Sequence, residues 1–426
     1  MQPQSRSAPV APSSPSTTLT SPRAGQPFVA IDGLEGWERL LAGRPVPACA
    51  VNLDALQANR RILEAMAAKG GARVRLSTAA LRSTGLLRYL LTAPGHQLQG
   101  LYCMSVYEAE VLAELGFDDL LIATPVARPR AARVLATLVA AGRMVVPTVD
   151  SSAHLALLAA AAAEAGVEIG VCIDVDVSWQ PAAEVWIGTR RSALRERDEA
   201  RRLGALVAAT PGLHVVGVSA WEAQLARPAG RGPAAWFSAP FRGIMRSRSA
   251  ELAAARRREV VDALKEDGHP IAMVVGGSTG SMRTVIEDTT VTDIPIGEGI
   301  LCPVRCDGHG LGLLPALHFA LPVTRRPDAE HVTCHGGGYV SAGAIAGSPV
   351  VIAPEGLHPI SSDGWSQVQT PLRVNRGEAP AVGSLVVCRP YRSADVLERF
   401  NDIVLHSGEE VVEVVPTYRA LGLATG

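Results

Sequence analysis

Residues 271–282 read IAMVVGGSTGSM. Ile271 to Val275 form a short apolar run, the composition of a buried strand. The run stops at Gly276-Gly277-Ser278-Thr279-Gly280-Ser281, where three glycines and three hydroxyl side chains fill the six positions. Glycines let the backbone turn its N–H groups inward, and hydroxyls add donors, so such a loop can cradle a phosphate dianion. It lacks the Gly-Lys-Ser/Thr ending of a P-loop and the glycine spacing of a dinucleotide-binding turn. In isolation a plain strand-ending turn reads the same way. The rest of the chain decides between the two.

Working outward, apolar runs at 48–53, 74–77, 99–104, 119–123, 144–148, 168–175, 214–220 and 271–275 read as strands. Between them lie amphipathic stretches rich in alanine and arginine, at 55–68, 107–115, 129–141, 152–165, 193–209 and 248–266. Strand–helix alternation predicts a parallel sheet with helical crossovers. Eight such runs, with another possible strand at 291–295, predict a (β/α)8 TIM-like barrel. In that fold functional groups gather at the C-terminal ends of the strands, often with a phosphate site in the late loops. The Gly276 loop stands where that rule puts it. Beyond 299 the pattern changes to short β-type runs at 316–323, 331–335, 349–353, 384–388, 403–406 and 410–416, separated by Gly and Pro turns. These predict a β-rich second domain. The expected division is a disordered Pro-, Ser- and Thr-rich tail over 1–27, a barrel over 28–299 and the β-rich domain over 300–426.

Composition narrows the class. A chain of 426 residues exceeds one average domain, and 47% apolar content suffices for a large core. A net charge of −1 gives no reason to expect nucleic acid or an anionic membrane as partner. The apolar runs fall well short of membrane-spanning length and no secretory signal appears, so a cytoplasmic protein is expected. The seven cysteines are scattered; Cys302 and Cys306 are close, but no second pair completes a zinc site, and all read as reduced thiols. Lys69 and Lys265 are the only lysines. Arginine forms no Schiff base, so imine chemistry has very few candidates.

Ten segments in order carry a family resemblance: AVNLDALQAN, VRLSTAALRS, SVYEAEVLAELGFDDLLIATP, CIDVDVSWQP, IGTRRSALR, VVGVSAWEAQLA, VVGGSTGS, IGEG, TCHGGGYVSAG and ERFNDIVL. On these the chain resembles the alanine-racemase-like, fold type III enzymes of pyridoxal phosphate. The closer match is to the branch of D-threonine aldolases, D-serine dehydratases and bacterial amino acid deaminase/aldolases. The resemblance runs from about Pro47 to Gly422 and implies a pyridoxal phosphate cofactor, an amino-acid substrate, often of D configuration, and a homodimer. Composition, with almost all positive charge on arginine, suits a high-GC bacterium.

The resemblance also assigns residues. Gly277, Ser278, Thr279, Gly280 and Ser281 would take the cofactor phosphate. Trp221 or Gln224, after the strand at 215–220, would stand beside the pyridine ring; a core tryptophan and a surface glutamine are the plain alternative. Arg190, in IGTRRS, would meet the pyridine O3′ or a substrate carboxylate, or else remain a solvated charge. His335 or Tyr339 would be a proton donor or base, since imidazole titrates near neutral pH; a histidine held structurally in a glycine turn is the alternative. Glu298 would orient a loop or lie solvated. Asp174 and Asp176 alternate on one strand, so their side chains are expected on one face.

Two positions depart from the family pattern. In related sequences the strand after the first helix ends in the Schiff-base lysine, and VRLSTAALRS places Ala79 there. Alanine cannot hold the cofactor covalently. Either an otherwise intact enzyme carries a lysine-to-alanine replacement, which the intact remaining segments favour, or the lysine is naturally lost. Counting back from Glu398-Arg399-Phe400-Asn401, the histidine that would bind a divalent ion falls on Pro390, between Arg389 and Arg392. Proline cannot ligate and the arginines repel a cation, so no metal is expected. The basic patch would bind an anionic substrate group or lie in solvent. The expected activity is therefore a lyase of the aldolase or deaminase type, inactivated at Ala79. The alternatives are a racemase or epimerase on the same scaffold and a non-catalytic protein that binds pyridoxal phosphate.

Overall fold

The computed structural model describes residues 30–182, 184–226, 239–341 and 347–423; the expected disordered tail over 1–27 lies outside them. After β1 (Ala48–Asn52) and the helix Leu53–Lys69, eight parallel strands close a barrel. They are β2 (Arg73–Ser77), β3 (Leu98–Cys103), β4 (Leu120–Ile122), β5 (Val145–Val149), β6 (Ile169–Asp174) and, past a hairpin of β7 (Trp179–Ala182) and β8 (Val185–Ile187), β9 (Leu213–Ser219), β10 (Met273–Val275) and β11 (Asp293–Ile296). β11 pairs back onto β2 and completes the closure.

The barrel is the fold expected from the alternation, with one strand exchanged. The run at 48–53 is not a barrel strand: β1 lies antiparallel to β12 (Leu317–Arg325) and parallel to β18 (Asp402–Ser407) in the other sheet. The run at 291–295 supplies the eighth barrel strand as β11. All five residues of β1 are buried. An apolar run of that kind fits either sheet, and only its partners, more than 250 residues away, decide.

Among the described residues the second sheet has nine strands. Its main path is β15 (Leu357–Pro359), β16 (Gln369–Val374), β13 (His331–His335), β12, β1, β18 and β19 (Glu410–Pro416), with β17 (Leu385–Arg389) pairing β12 and β14 (Val350–Ala353) pairing β17. The helix Gly33–Leu40 covers part of it, with Trp37 edge-on to His318 at 5.1 Å and to His406 at 5.7 Å. The first and last parts of the chain thus build one sheet around β1, the strand that precedes the barrel.

Local chemistry sets the helix starts. Asn52 accepts from the Ala55 N–H at 2.9 Å, and Ser83 and Ser105 cap the helices that follow them in the same manner. Asn59 then ties the first long helix to the barrel's exit by donating to the Ile300 and Leu314 carbonyls and accepting from the Leu314 N–H. Inside the barrel Leu121, Val146, Cys172 and Val275 form their own cluster with Tyr102, Val216 and Met273. Also buried is Arg75, paired with Asp119 at 2.7 Å and Asp293 at 3.2 Å. All seven cysteines are free and buried. No helix among the described residues is long and apolar enough to cross a membrane.

Candidate active site

The Gly276 loop leaves the C-terminal end of β10 and turns into the short helices Thr279–Ser281 and Met282–Val285. Gly277 has φ +82°, a left-handed conformation, and a side chain there would meet Val285 at 2.8 Å. At Gly280 a Cβ would overlap the Ala226 carbonyl. The N–H groups of Gly277 and Ser278 donate to no acceptor among the described residues. Thr279 and Ser281 are buried; Thr279 Oγ1 accepts from the Gly299 N–H at 3.0 Å, and the Ser278 and Ser281 hydroxyls stand 3.4 Å apart. The loop is a concave set of backbone donors and hydroxyls, held by the turn after β9 on one side and the helix after β11 on the other.

Ala79 lies half-buried in the turn of helix Thr78–Leu81 that begins directly after β2, at the same mouth. Both lysines are exposed at the opposite end. Lys69 ends the helix that leads into β2, and Lys265 lies near the end of the helix Ala239–Glu266 that leads into β10. Neither can serve the mouth.

Around the mouth, polar groups collect at four strand ends. β6 ends at Asp174; burial pushes its carboxyl up to about 6, against the Ser219 hydroxyl and Arg191, and Asp150 and Asp176 push the same way. Asp150 follows β5 and pairs with His154 at 3.0 Å. Tyr102, near the end of β3, has its phenol raised by burial and then by Asp174. Asp176, expected to alternate with Asp174 on one strand, lies beyond the end of it. The strand has ended, and the Asp176 carboxylate turns to accept from the Ser178 N–H at 2.7 Å.

The two neighbouring arginines diverge. Arg190 stacks on Trp186 at 4.7 Å, beside the hairpin, with Arg195 also stacked on that ring at 4.1 Å. Arg191 lies over Trp221 at 4.8 Å and acts on Asp174. Trp221 therefore faces the polar cluster. Gln224 is fastened by its Nε2 to the Val177 carbonyl at 3.0 Å, and its buried Oε1 has no partner among the described residues, which leaves an acceptor for a ligand N–H. Tyr102, Asp150, Arg191 and Ser219 are the members sequence reading does not single out. A census of polar residues at the ends of barrel strands would have found Tyr102, Asp150 and Ser219.

The second sheet contributes less to this mouth. His335 ends β13, is exposed and has no hydrogen bond to a barrel residue among the described residues. Tyr339 packs edge-on against Phe319 at 5.0 Å and Phe400 at 5.5 Å, and burial raises its phenol. Arg389, read as part of a free basic patch, is committed instead: it pairs with Asp307 at 2.7 Å and donates to the Cys302 and Pro303 carbonyls. Glu298 is not solvated but pairs with Arg305 at 2.9 Å; burial raises its carboxyl while Arg305 and Arg392 oppose. Among the described residues no three His, Cys, Asp or Glu side chains converge as a metal set.

The profile described as alanine racemase, N-terminal domain, matches residues 51–292. The 3-hydroxy-D-aspartate aldolase of Paracoccus denitrificans strain Pd 1222 is 28% identical over 237 residues, 55% of this chain and 54% of that protein. The chain thus spans about half the length of the curated relatives it matches. Among solved structures, D-threonine aldolase from Filomicrobium marinum matches with a TM-score of 0.74 at 21% identity, over 90% of this chain and 98% of that one. D-threo-3-hydroxyaspartate dehydratase from Delftia sp. HT23 matches with a TM-score of 0.71 at 19% identity, over 89% and 98%. At such identities these structures establish the shared fold.

Pyridoxal phosphate is the cofactor of this fold class. The residues present fit one half of it. Free N–H groups and hydroxyls around Gly277 suit the phosphate, and the orphaned Gln224 Oε1 offers an acceptor at the mouth. The position that the resemblance assigns to the Schiff-base lysine holds Ala79, which has no amine.

Proposed function

Because the chain belongs to the alanine racemase N-terminal domain family, we propose that it is a pyridoxal-phosphate lyase of the aldolase or deaminase type whose Schiff-base position is vacated by Ala79. Ala79 at the mouth, with both lysines at the far end, is the observation that carries this reading. Bound pyridoxal phosphate withdraws electrons from a bond at the α-carbon of an amino acid. This chain's part is to hold and orient. Gly277, Ser278, Thr279, Gly280 and Ser281 bind the phosphate, Trp221 and Gln224 border the ring, and Arg191, with Arg190 behind it, meets a substrate carboxylate. Asp174, with its carboxyl raised to about 6, is suited to take up and return a proton near Tyr102. Names of the relatives, 3-hydroxy-D-aspartate aldolase and D-threonine aldolase, favour a D-amino acid bearing a β-hydroxyl. His335, exposed within one chain, would act at the mouth of a second copy in a homodimer. Buried free thiols suit a cytoplasmic setting.

The test restores the amine. Ala79→Lys, loaded with pyridoxal phosphate and reduced with borohydride, is expected to carry a covalent adduct on the peptide spanning position 79, while the unaltered chain carries none. Release of an aldehyde or keto acid from a panel of D- and L-amino acids then marks a lyase; solvent deuterium at the α-carbon without a fragment marks a racemase. A variant that binds the cofactor but takes no adduct refutes the placement at 79.

Pro390 favours a second reading, a non-catalytic protein that binds pyridoxal phosphate. Positions 79 and 390 lie on separate elements, and both lack the side chain the resemblance implies, so replacing one lysine does not account for the pair. Under this reading Ala79→Lys gains the adduct and still turns over nothing in the panel.

A further inference from the structure

A cleft of about 200 Å³ borders the Gly276 loop, lined by Thr279, Gly280, Arg246, Arg283 and His309 among others, none of them acidic. Arg246 comes from the first part of the helix Ala239–Glu266, with its Nη2 3.3 Å from the Gly280 carbonyl. Arg283 comes from the short helix after the loop and donates to the Gly310 carbonyl. His309 closes the cleft from the turn Val304–His309. Arg305 also acts on His309, but its charge is offset by Glu298 at 2.9 Å. Two guanidinium groups, an imidazole and a hydroxyl, with no lining carboxylate among the described residues, complement an oxyanion of high charge density. The volume suits a phosphate-sized group, below the 300 Å³ or so of sites that enclose whole cofactors.

We propose that this cleft is a seat for a phosphoryl dianion, with Arg246 and Arg283 as its principal ligands and His309 as a third. The dianion has two sources: the phosphate of pyridoxal phosphate, which rests on the function proposed above, and a separate phosphate-bearing molecule, which does not. In the first case the arginines supply non-covalent hold in a chain with no amine at position 79. His309 reports occupancy directly. Burial, then Arg305 and Arg246, hold its imidazole down at about 4. An anion placed against it stabilises the protonated ring and raises that value.

The full chain is titrated with inorganic phosphate, pyridoxal phosphate and pyridoxal, following histidine resonances assigned with His309→Gln and binding heats by calorimetry. Inorganic phosphate is expected to move the His309 signal and raise its titration midpoint. Arg246→Gln and Arg283→Gln each weaken phosphate binding roughly tenfold to a hundredfold, the worth of a charged hydrogen bond; the exposed Arg326→Gln does not. Competition between pyridoxal phosphate and phosphate assigns the seat to the cofactor, and simultaneous binding assigns it to a separate phosphate. Phosphate binding with no uptake of pyridoxal phosphate refutes the cofactor reading and supports the seat. An unmoved His309 signal, with both arginine variants binding as tightly as the parent, overturns the proposal.

Discussion

Arg257 is the side chain whose removal should do most damage for its size. It is 2% exposed and joins three segments. Its Nη2 donates to Glu222 Oε2 at 2.6 Å and to the Ala220 carbonyl at 2.8 Å, and its Nη1 donates to Asp288. Glu222 and Asp288 are buried as deeply. The guanidinium also lies against Gly276, where a Cβ would stand 2.9 Å from it, so the group supports the start of the Gly276 loop. Arg257→Met keeps much of the volume and leaves two buried carboxylates without a cation. Breaking a buried pair from one side costs about 3–5 kcal/mol, because the remaining charge is uncompensated. Domains of about 150–250 residues lose roughly 2–4 °C per kcal/mol, so the melting temperature should fall by about 6–20 °C. Thermal unfolding by circular dichroism measures this. The triple change Arg257→Met, Glu222→Leu, Asp288→Leu removes both carboxylates with the cation and should recover most of the loss. If Arg257→Met costs less than about 1 kcal/mol, or if the triple change is worse than the single one, the buried triad does not do what its geometry implies.

Three further expectations follow from other parts of the molecule. Burial, reinforced by His406 and Arg389, pushes His318 down to about 3, so the folded form resists protonation. Its contribution is complete above the ordinary value of 6.5 and is lost as pH falls toward 3; at pH 5 the loss is about 2 kcal/mol, and His318→Leu should flatten stability between pH 5 and 6.5. Asp174 has the opposite sign: its carboxyl is raised from 3.8 to about 6, so ionisation destabilises the fold as pH climbs through that window. Asp174→Asn should gain up to about 3 kcal/mol at pH 8, less after screening at the open rim, and nothing near pH 4, measured by urea unfolding at both values. Gly280→Ala should shift the loop away from the Ala226 carbonyl and weaken pyridoxal phosphate binding at least roughly tenfold with the fold retained, a comparison calorimetry makes directly.

The barrel is legible in the sequence because each βα unit states its own period, and eight in succession leave few architectures. What is not legible is partnership. The run at 48–53 and that at 291–295 look equally fit to be barrel strands; the first pairs with Leu317–Arg325 and Asp402–Ser407, and the second closes on Arg73–Ser77. β16 escapes notice for a different reason: Pro371 within Gln369–Val374 argues against a strand, yet the strand sits between β13 and β15. The same limit separates Arg190 from Arg191. Adjacent arginines in an irregular stretch carry no period, and only the ring beneath each, Trp186 or Trp221, tells them apart. Asp176 shows the converse, a period applied two residues past the end of its strand.

The contrast between position 79 and the Gly276 loop has a physical basis. The loop is bound into the fold at several points: Gly276 lies on Arg257, Gly280 fits under the Ala226 carbonyl, and Thr279 satisfies the Gly299 N–H. Changing any of these costs stability whether or not a ligand is present, so the sequence of the loop is specified by packing as well as by chemistry. Ala79 carries no such obligation. It is half-buried in a one-turn helix that starts directly after β2, where alanine is a good helix former. An amine can therefore be absent from position 79 with the barrel, the loop and the polar cluster around Asp174 all intact. Ala79→Lys should therefore leave phosphate binding unchanged while adding the adduct.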